Sequence, residues 1–274
     1  MLFKWSFKEQ KEIGEYSIYY WIQNYETPAY TFGFVLGNFN QVLKKYRDIK
    51  VISLGETYSS SQLTEIFEES ASIISFFEEK SGVDFYQPTY TQILIGNYYQ
   101  EMSGLSILKH SYGYLVLKDS TETNLISHEL AHQWWGNRIR SESLNHFWLN
   151  EAMATFMSAA YNEFRFGKKK YHENIESYYN VYLDIKERGN DKPLVFENWL
   201  NPSRDDRNLV YFKGAYFLHL LREKVGDKNF WAFIKNYSLS YFDKSVNSKD
   251  FQTSLEQVTG ENLDTLFNEW VFGE

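Results

Sequence analysis

Residues 128–132 read HELAH, and Glu151 follows this motif after eighteen intervening residues. On an α-helix, residues four apart lie about 40° apart around the axis and one turn along it, so the imidazoles of His128 and His132 project from one face. Glu129 lies about 100° from His128 around the axis and could reach a water on a metal ion without being a ligand. This pattern predicts a zinc site that activates water.

The sequence around the motif predicts two helices that bring these residues together. Residues 122–135 have apolar positions at helical spacing, and a second helical pattern begins near residue 147 and places Glu151 in its first turns. We therefore expect His128, His132 and Glu151 to bind one Zn²⁺ ion per chain. Three protein ligands leave a fourth position for water, which is typical of catalytic rather than structural zinc sites.

The composition excludes several classes of protein. The 274 residues are 43% hydrophobic and 19% aromatic, which indicates a folded chain with a large core. A net charge of −8 argues against a nucleic-acid partner. The sequence contains no run of 18 apolar residues, which is the length that a membrane-spanning helix needs. Its first twelve residues lack the apolar segment of a signal peptide. Cysteine is absent, so no thiolate can ligate metal. The sequence leaves two interpretations of the compartment open: a cytoplasmic protein, or the soluble domain of a larger protein that is membrane-linked or free.

The order of predicted elements indicates an α+β fold, with a β-containing lobe followed by a mainly helical one. The first half alternates strand patterns with one helix, and the second half reads almost wholly as helices. The predicted strands are 15–23, 30–38, 49–53, 90–96 and 113–117, and the early helix is 60–81. The predicted later helices are 122–135, 148–166, 171–187, 205–225, 227–237, 248–258 and 262–271.

Several segments together resemble the M1 family of zinc aminopeptidases, which are gluzincins with a thermolysin-like catalytic domain. HELAHQWWGN at 128–137 and WLNEAMATF at 148–156 carry the resemblance, and the interval of eighteen residues favours M1 over the thermolysin family, which usually has one more. YFKG at 211–214 resembles the family's Y-x-K-G segment. YTFGFVLGNF at 30–39 resembles the strand that enters the catalytic domain, and NLDTLFNEWVFGE at 262–274 resembles its end.

The resemblance also implies a domain organisation. We expect a thermolysin-like zinc peptidase catalytic domain over residues 30–274, with its β-rich lobe at about 30–120 and its helical lobe at about 121–274. Residues 1–29 would be a remnant of a preceding β domain or extra strands. Most of the flanking domains of typical members would then lie outside this chain, which would be either a minimal protein or a piece of a longer one.

The chemistry of the motif and the family resemblance assign roles to further residues. Glu129 is expected to accept a proton from the zinc-activated water and pass it to the leaving amine. The resemblance gives the Tyr211 hydroxyl the task of donating to the tetrahedral oxyanion. The family's amine-binding G-x-M-E-N strand corresponds to residues 98–104. Alignment on Gly104 places Glu101 at the amine-binding glutamate, whereas alignment on the methionine places Ser103 there. We prefer Glu101 because a carboxylate pairs with an ammonium group.

Three functions are consistent with these features. The first is an aminopeptidase that removes N-terminal residues from peptide substrates. The second is an endopeptidase or a peptidase of narrow specificity with the same chemistry, which the altered G-x-M-E-N strand favours. The third is a peptide-binding domain of a larger protein that keeps the metal but has low turnover. The intact HELAH motif speaks against this last function, because a pure binding module has no use for a general base.

Overall fold

The structure is a computed structural model that describes residues 6–22, 26–197, 199 and 201–273. Contacts divide the chain into two compact units. The first comprises the described residues up to Ala71 together with Tyr86–Asp119, and the second comprises Ser72–Phe85 together with the described residues from Ser120 onward. Among the described residues, no helix is both long and apolar enough to cross a bilayer.

The first unit is built on a mixed five-stranded sheet of order β3-β4-β5-β7-β6. The two central pairings, β4 with β5 and β5 with β7, are parallel, and the two outer pairings are antiparallel. A separate antiparallel pair, β1 and β2, precedes the sheet. The strands are β1 (Ser6–Ile13), β2 (Tyr16–Ile22), β3 (Asn40–Tyr46), β4 (Ile49–Gly55), β5 (Thr89–Leu94), β6 (Gln100–Met102) and β7 (Leu105–Leu108).

Apolar residues of the three central strands and of the segment before β3 form a core. Val35, Leu54, Ile93 and Leu105 pack together with little exposure to solvent. Burying such side chains contributes roughly 1.5–3 kcal/mol each. The helices are α1 (Ser60–Ile66), α2 (Ser70–Ser81), whose first two residues belong to this unit, and α3 (Tyr112–Lys118).

The first unit corrects three sequence predictions. The predicted strand 113–117 is helix α3, in which residues 112, 113 and 116 are buried while 114 and 115 are exposed, as helical spacing requires. The predicted strand 30–38 is wrong: residues 29–31 form a 3₁₀ turn, and only an isolated bridge follows at Val35. The predicted helix 60–81 is two helices, because α1 ends at Ile66 and the chain turns before α2 begins.

The second unit is mainly helical and surrounds helix α5. Every residue from Trp148 to Asn162 is buried, because α4, α6 and α8 pack against α5. The helices are α4 (Asn124–Ala131), α5 (Trp148–Phe166), α6 (Lys168–Glu187), α7 (Arg204–Asn208), α8 (Gly214–Val225), α9 (Asp227–Tyr241), α10 (Ser248–Thr259) and α11 (Asp264–Phe267). Two short strands, β8 (Arg140–Ser141) and β9 (Ser245–Val246), pair in parallel.

Helical predictions in this unit hold with three corrections. The bounds of α5 are those predicted, whereas α4 ends at Ala131 and residues 132–135 continue in tight turns. The predicted helix 205–225 is α7 and α8 joined by a π-helical segment, Leu209–Lys213. The predicted helix 262–271 is α11 followed by a second π-helical segment, Asn268–Phe272.

Trp134 and Trp135 follow the HELAH motif and are fully buried. The indole of Trp134 donates to the carbonyl of Val83 at 2.8 Å, and that of Trp135 donates to Ser238 Oγ at 3.1 Å. Phe77 meets both indoles edge-on, at 5.8 and 5.9 Å between ring centroids. The two tryptophans therefore anchor the end of α4 in the core, as buried aromatic side chains with satisfied N–H groups do.

Candidate active site

Helices α4 and α5 bring three predicted ligands together in the second unit. The Nε2 atoms of His128 and His132 lie 3.1 Å apart, and each lies 3.4 Å from Oε2 of Glu151. The side chains of His132 and Glu151 are 2% exposed, and that of His128 is 14% exposed. Among the described residues this is the one group of three or more such side chains arranged to hold a metal ion.

The donor atoms fit a metal ion in both chemistry and spacing. A tetrahedral zinc ion with bonds of about 2.0–2.1 Å holds its donors about 3.3 Å apart, and the three separations here are 3.1, 3.4 and 3.4 Å. Oε2 of Glu151 is buried and accepts no hydrogen bond from the described residues. A buried carboxylate oxygen facing two imidazole nitrogens needs a positive charge, which a divalent cation supplies.

The backbone after the motif orients His132. Its Nδ1 lies 3.0 Å from the carbonyl oxygen of Trp135, which can only accept, so Nδ1 carries the hydrogen and Nε2 presents a lone pair to Glu151. Gly136 allows this approach: its φ is +128°, and a Cβ there would lie 2.9 Å from His132 Nδ1. Any other residue at position 136 would therefore both strain the backbone and press on the imidazole.

A hydroxyl on α5 orients His128 in the same way. Thr155 Oγ1 donates to the carbonyl of Glu151 at 2.7 Å and lies 3.3 Å from Nδ1 of His128. Because its hydrogen is already used, the hydroxyl accepts from Nδ1–H and leaves Nε2 of His128 unprotonated. Both imidazoles are thus assigned the tautomer that a metal ligand requires.

The electrostatics of the site stabilise an ionised carboxylate beside positive charge. Burial alone would raise the pKa of the Glu151 carboxyl, but the charge and hydrogen bonds that His132 and His128 supply when they are protonated more than offset burial and hold that pKa at about 2. Burial lowers the pKa of His128 below its usual value, although Glu151 opposes this effect. An ionised carboxylate and a neutral imidazole are the forms that bind a metal ion.

Buried polar side chains hold α4 against α5 and α6. Ser127 and Ser158 face each other at 2.7 Å between their hydroxyl oxygens. The amide of Asn162 donates to the side-chain oxygens of Asn124 and Asn174, at 2.8 and 3.0 Å. Because each of these bonds would be costly to break without water, they fix how the motif helix lies on α5.

Tyr211 lies in the π-helical segment that joins α7 to α8. Its ring stacks on the imidazole of His128, with 5.6 Å between centroids and 16° between planes. Gly214, immediately after this segment, lies against α5: a Cβ there would come within 2.5 Å of the Cβ of Ala152. The glycine of the YFKG segment therefore lets the Tyr211 segment approach the helix that carries Glu151.

Comparison with known proteins agrees with this geometry. The model of the Peptidase family M1 domain matches residues 65–270, which is most of the chain. The chain belongs to peptidase family M1. Helix α5 and the HELAH motif lie within the matched region, as does the Tyr211 segment. This assignment confirms the family that the sequence resembles. The predicted α+β fold, with a mixed-sheet lobe and a helical region, is also confirmed.

Relatives of this M1 chain include named aminopeptidases. The chain is 30% identical over 162 residues to Leucine aminopeptidase 2 of Aspergillus fumigatus, and this match covers 57% of the chain and 26% of that protein. It is 23% identical over 264 residues to Probable aminopeptidase 2 of Sulfurisphaera tokodaii, covering 90% of this chain and 33% of that protein. The M1 chain thus spans about a third or less of the length of these relatives.

A solved M1 structure shares the fold. A variant of an M1 zinc metallopeptidase from Deinococcus radiodurans, bound to the substrate Tyr-ser-ala, superposes with a TM-score of 0.76 at 20% sequence identity. The superposition covers 97% of this M1 chain and 59% of that one. A second structure of M1 zinc metallopeptidase from the same organism gives a TM-score of 0.75.

The remaining predicted residues lie on defined elements. Glu129 is on α4 beside His128 and is 2% exposed. Glu101 belongs to the first unit, where it lies on strand β6, pairs with Ser106 of β7 and accepts from Gln100 Nε2 at 3.0 Å. Ser103, the alternative to Glu101, is fully buried and accepts from Gln87 Nε2 at 2.9 Å.

Sequence reasoning missed the groups that orient the ligands. Thr155 lies four residues after Glu151, hence on the same face of α5, and this spacing could have identified it. The Trp135 carbonyl could not have been found in this way, because a backbone acceptor has no sequence signature. Lys213, inside the YFKG segment, was given no role from the sequence, although its side chain is buried.

Proposed function

We propose that this chain is the catalytic domain of a zinc-dependent aminopeptidase that hydrolyses the N-terminal peptide bond of peptides. The observation that carries the proposal is the triangle of Nε2, Nε2 and Oε2 atoms, 3.1 to 3.4 Å on a side, formed by His128, His132 and Glu151. Its family and its named relatives support the same activity. We further propose that a thermolysin-like catalytic domain extends over residues 30–274.

Each proposed role follows from the position of a side chain. Bound zinc would supply a Lewis acid that activates water and polarises the scissile carbonyl. Glu129, adjacent to His128 and shielded from solvent, would accept the proton of that water and deliver it to the leaving amine. Its neighbours His128 and His132 would hold the ion rather than move protons, since their Nδ1 hydrogens are engaged by Thr155 and by the Trp135 carbonyl.

Tyr211 is proposed to donate its hydroxyl hydrogen to the oxygen that becomes negative as the carbonyl is attacked. The stacking of its ring on His128 supports this role, because it holds the phenol beside a proposed metal ligand. A donor that is already in place for a developing charge contributes a few kcal/mol to lowering the barrier. Burial of the flanking residues Leu209, Val210 and Lys213 supports a fixed position for the segment.

Glu101 is proposed to bind the free amine of the substrate. Its partly exposed carboxylate supports this role over Ser103, because Ser103 is buried and bonded to Gln87 and Tyr86. A carboxylate that pairs with the α-ammonium group would favour substrates with a free N-terminus. Endopeptidase activity, the alternative, would need no such pairing.

The test is the hydrolysis of aminoacyl fluorogenic amides beside N-blocked peptides of matched sequence, with and without a zinc chelator. We expect chelator-sensitive cleavage of the free-amine substrates alone. Glu101→Gln should raise KM for these substrates while metal content stays unchanged, because only the amine contact weakens. Cleavage of the blocked peptides would support an endopeptidase, and no cleavage of either set by the metal-loaded protein would support a peptide-binding domain.

A further inference from the structure

A buried cation lies two residues after Tyr211, and the proposed chemistry does not use it. The side chain of Lys213 is 3% exposed. Its Nζ donates to Oδ1 of Asp191 at 2.7 Å and to the carbonyl oxygen of Lys192 at 2.5 Å. The same ammonium lies 5.3 Å from the ring centroid of Tyr182 and 5.8 Å from that of Trp270.

These contacts converge on the end of the π-helical segment. Lys213 is the last residue of Leu209–Lys213, and its ammonium ties that end to the chain at residues 191–192. A π-helical turn inside an α-helix is a rare conformation, found mostly at functional sites, and it persists only where its surroundings enforce it. The contacts of Lys213 can stabilise the π-turn, because two charge-assisted hydrogen bonds and two aromatic rings fix the position of its Nζ atom.

The segment that Lys213 holds carries Tyr211. One side of the segment meets His128 through the stacked Tyr211 ring, and the next residue, Gly214, lies against Ala152 of α5. A π-turn contains one residue more than an α-turn. If it relaxed to an α-turn, the residues before Lys213 would rotate about the helix axis, relative to α8, by the angle between successive residues, which is about 100°. Tyr211 could not keep its stack on His128 through such a change.

We propose that Lys213 is a positioning residue, whose ion pair with Asp191 keeps the π-helical turn and thereby places the Tyr211 hydroxyl for catalysis. The inference rests on the proposed function, in which Tyr211 donates to the oxyanion. A misplacement of about 1 Å in such a donor can lower turnover about 100-fold. The lysine of the YFKG segment thus acts on the reaction through Tyr211 and not by touching the substrate.

Arg222 offers a matched control on the neighbouring stretch of α8. Its side chain is 7% exposed, and it pairs with Glu163 and Asp227, at 2.6 and 2.5 Å. It also packs over an aromatic ring, that of Tyr171, at 4.9 Å. Arg222 therefore matches Lys213 in burial, charge and aromatic contact, but it lies in regular α-helix nine residues further along.

The experiment compares Lys213→Met, Arg222→Met, Tyr211→Phe and the double variant Lys213→Met/Tyr211→Phe, each with its zinc content, melting temperature, kcat and KM for an aminoacyl amide. We expect Lys213→Met to lower kcat about 10- to 100-fold with little change in KM or zinc content. Arg222→Met should lower the melting temperature comparably and leave kcat within about twofold of the wild type. In the Tyr211→Phe background, Lys213→Met should change kcat less than about twofold.

Two outcomes would overturn the inference, and they differ from failure of the proposed function. An equal loss of kcat from Lys213→Met in both backgrounds, or an equal loss from Arg222→Met, would make Lys213 a general stabiliser. Full kcat in Tyr211→Phe alone would refute the proposed role of Tyr211. If Lys213→Met does not fold, Asp191→Asn removes one partner of the ammonium from a partly exposed position, and the same comparison of backgrounds applies.

Discussion

Helix α5 carries a buried or largely buried carboxylate near each end, and the two are neutralised differently. Glu163, three turns after Glu151, has its cation within the chain, because Arg222 Nη1 lies 2.6 Å from its Oε2. Glu151 faces two imidazoles, at 3.4 Å each, and these are its partners among the described residues. Neutral imidazoles offer lone pairs rather than charge, so the N-terminal end of α5 can bind a cation and the C-terminal end cannot.

This difference separates a binding site from a structural ion pair on a single helix. At Glu163 the guanidinium of Arg222 supplies the positive charge, and its Nε donates to Asp227. At Glu151 all three groups present acceptor atoms to one point, an arrangement that is unfavourable until a cation is bound.

The largest contrast is expected between Glu151→Gln and Glu163→Gln. Glu151→Gln removes the proposed anionic ligand, so zinc affinity should fall more than about 100-fold and turnover should fall to the level of the chelated wild type. Glu163→Gln, on the same helix, should keep both. Zinc content after dialysis and aminoacyl-amide hydrolysis measure the two effects. Equal zinc loss in the two variants would show that the contrast between the ends of α5 is wrong.

A second prediction concerns Glu129, a buried carboxylate one residue from His128 that is proposed not to bind the metal. Glu129→Gln keeps the shape of the side chain but removes its basicity, so kcat should fall about 10²- to 10⁴-fold. Zinc content should equal that of the wild type. Loss of zinc together with activity would make Glu129 a ligand and would remove the general base from the proposal.

The extent of successful prediction also differs between regions. The bounds of α5 and the meeting of His128, His132 and Glu151 follow from the sequence, because helical spacing and a fixed interval determine which side chains share a face. The interruption at Leu209–Lys213 does not follow, since apolar residues are so frequent between residues 209 and 221 that their pattern does not reveal a shift of the helical phase.

The first unit shows why the sheet was predicted less well. Residues 113–117 (GYLVL) form a short apolar run, which periodicity alone cannot assign to a strand or a helix, and in the structure they are helical. Strand β3 (Asn40–Tyr46) was not predicted, because it is an edge strand with mostly exposed and partly exposed residues. Its partner β4, with buried alternate residues, was predicted at 49–53 and extends to Gly55.

A third prediction concerns the hydroxyl that orients His128. Thr155→Val keeps the shape of a buried side chain but removes the acceptor for Nδ1–H, so zinc affinity should fall about tenfold. Thr155→Ser keeps the hydroxyl and should bind zinc as the wild type does. Competition with a chelator of known affinity measures both. Identical affinity in the valine and serine variants would show that the 3.3 Å contact does not orient the ligand.

The smallest expected effect is at the other end of α5 and concerns folding. Arg222→Met leaves the largely buried Glu163 carboxylate without its cation, so the free energy of unfolding should fall by about 2 kcal/mol. Glu163→Gln should cost less, because Arg222 keeps Asp227 as a partner. The double variant Arg222→Met/Glu163→Gln should be more stable than the sum of the single losses predicts, since no unpaired carboxylate remains at position 163. Urea unfolding of the three variants with zinc in excess measures these free energies. Additive losses would show that Arg222 does not neutralise Glu163 in the way that a bound cation is proposed to neutralise Glu151.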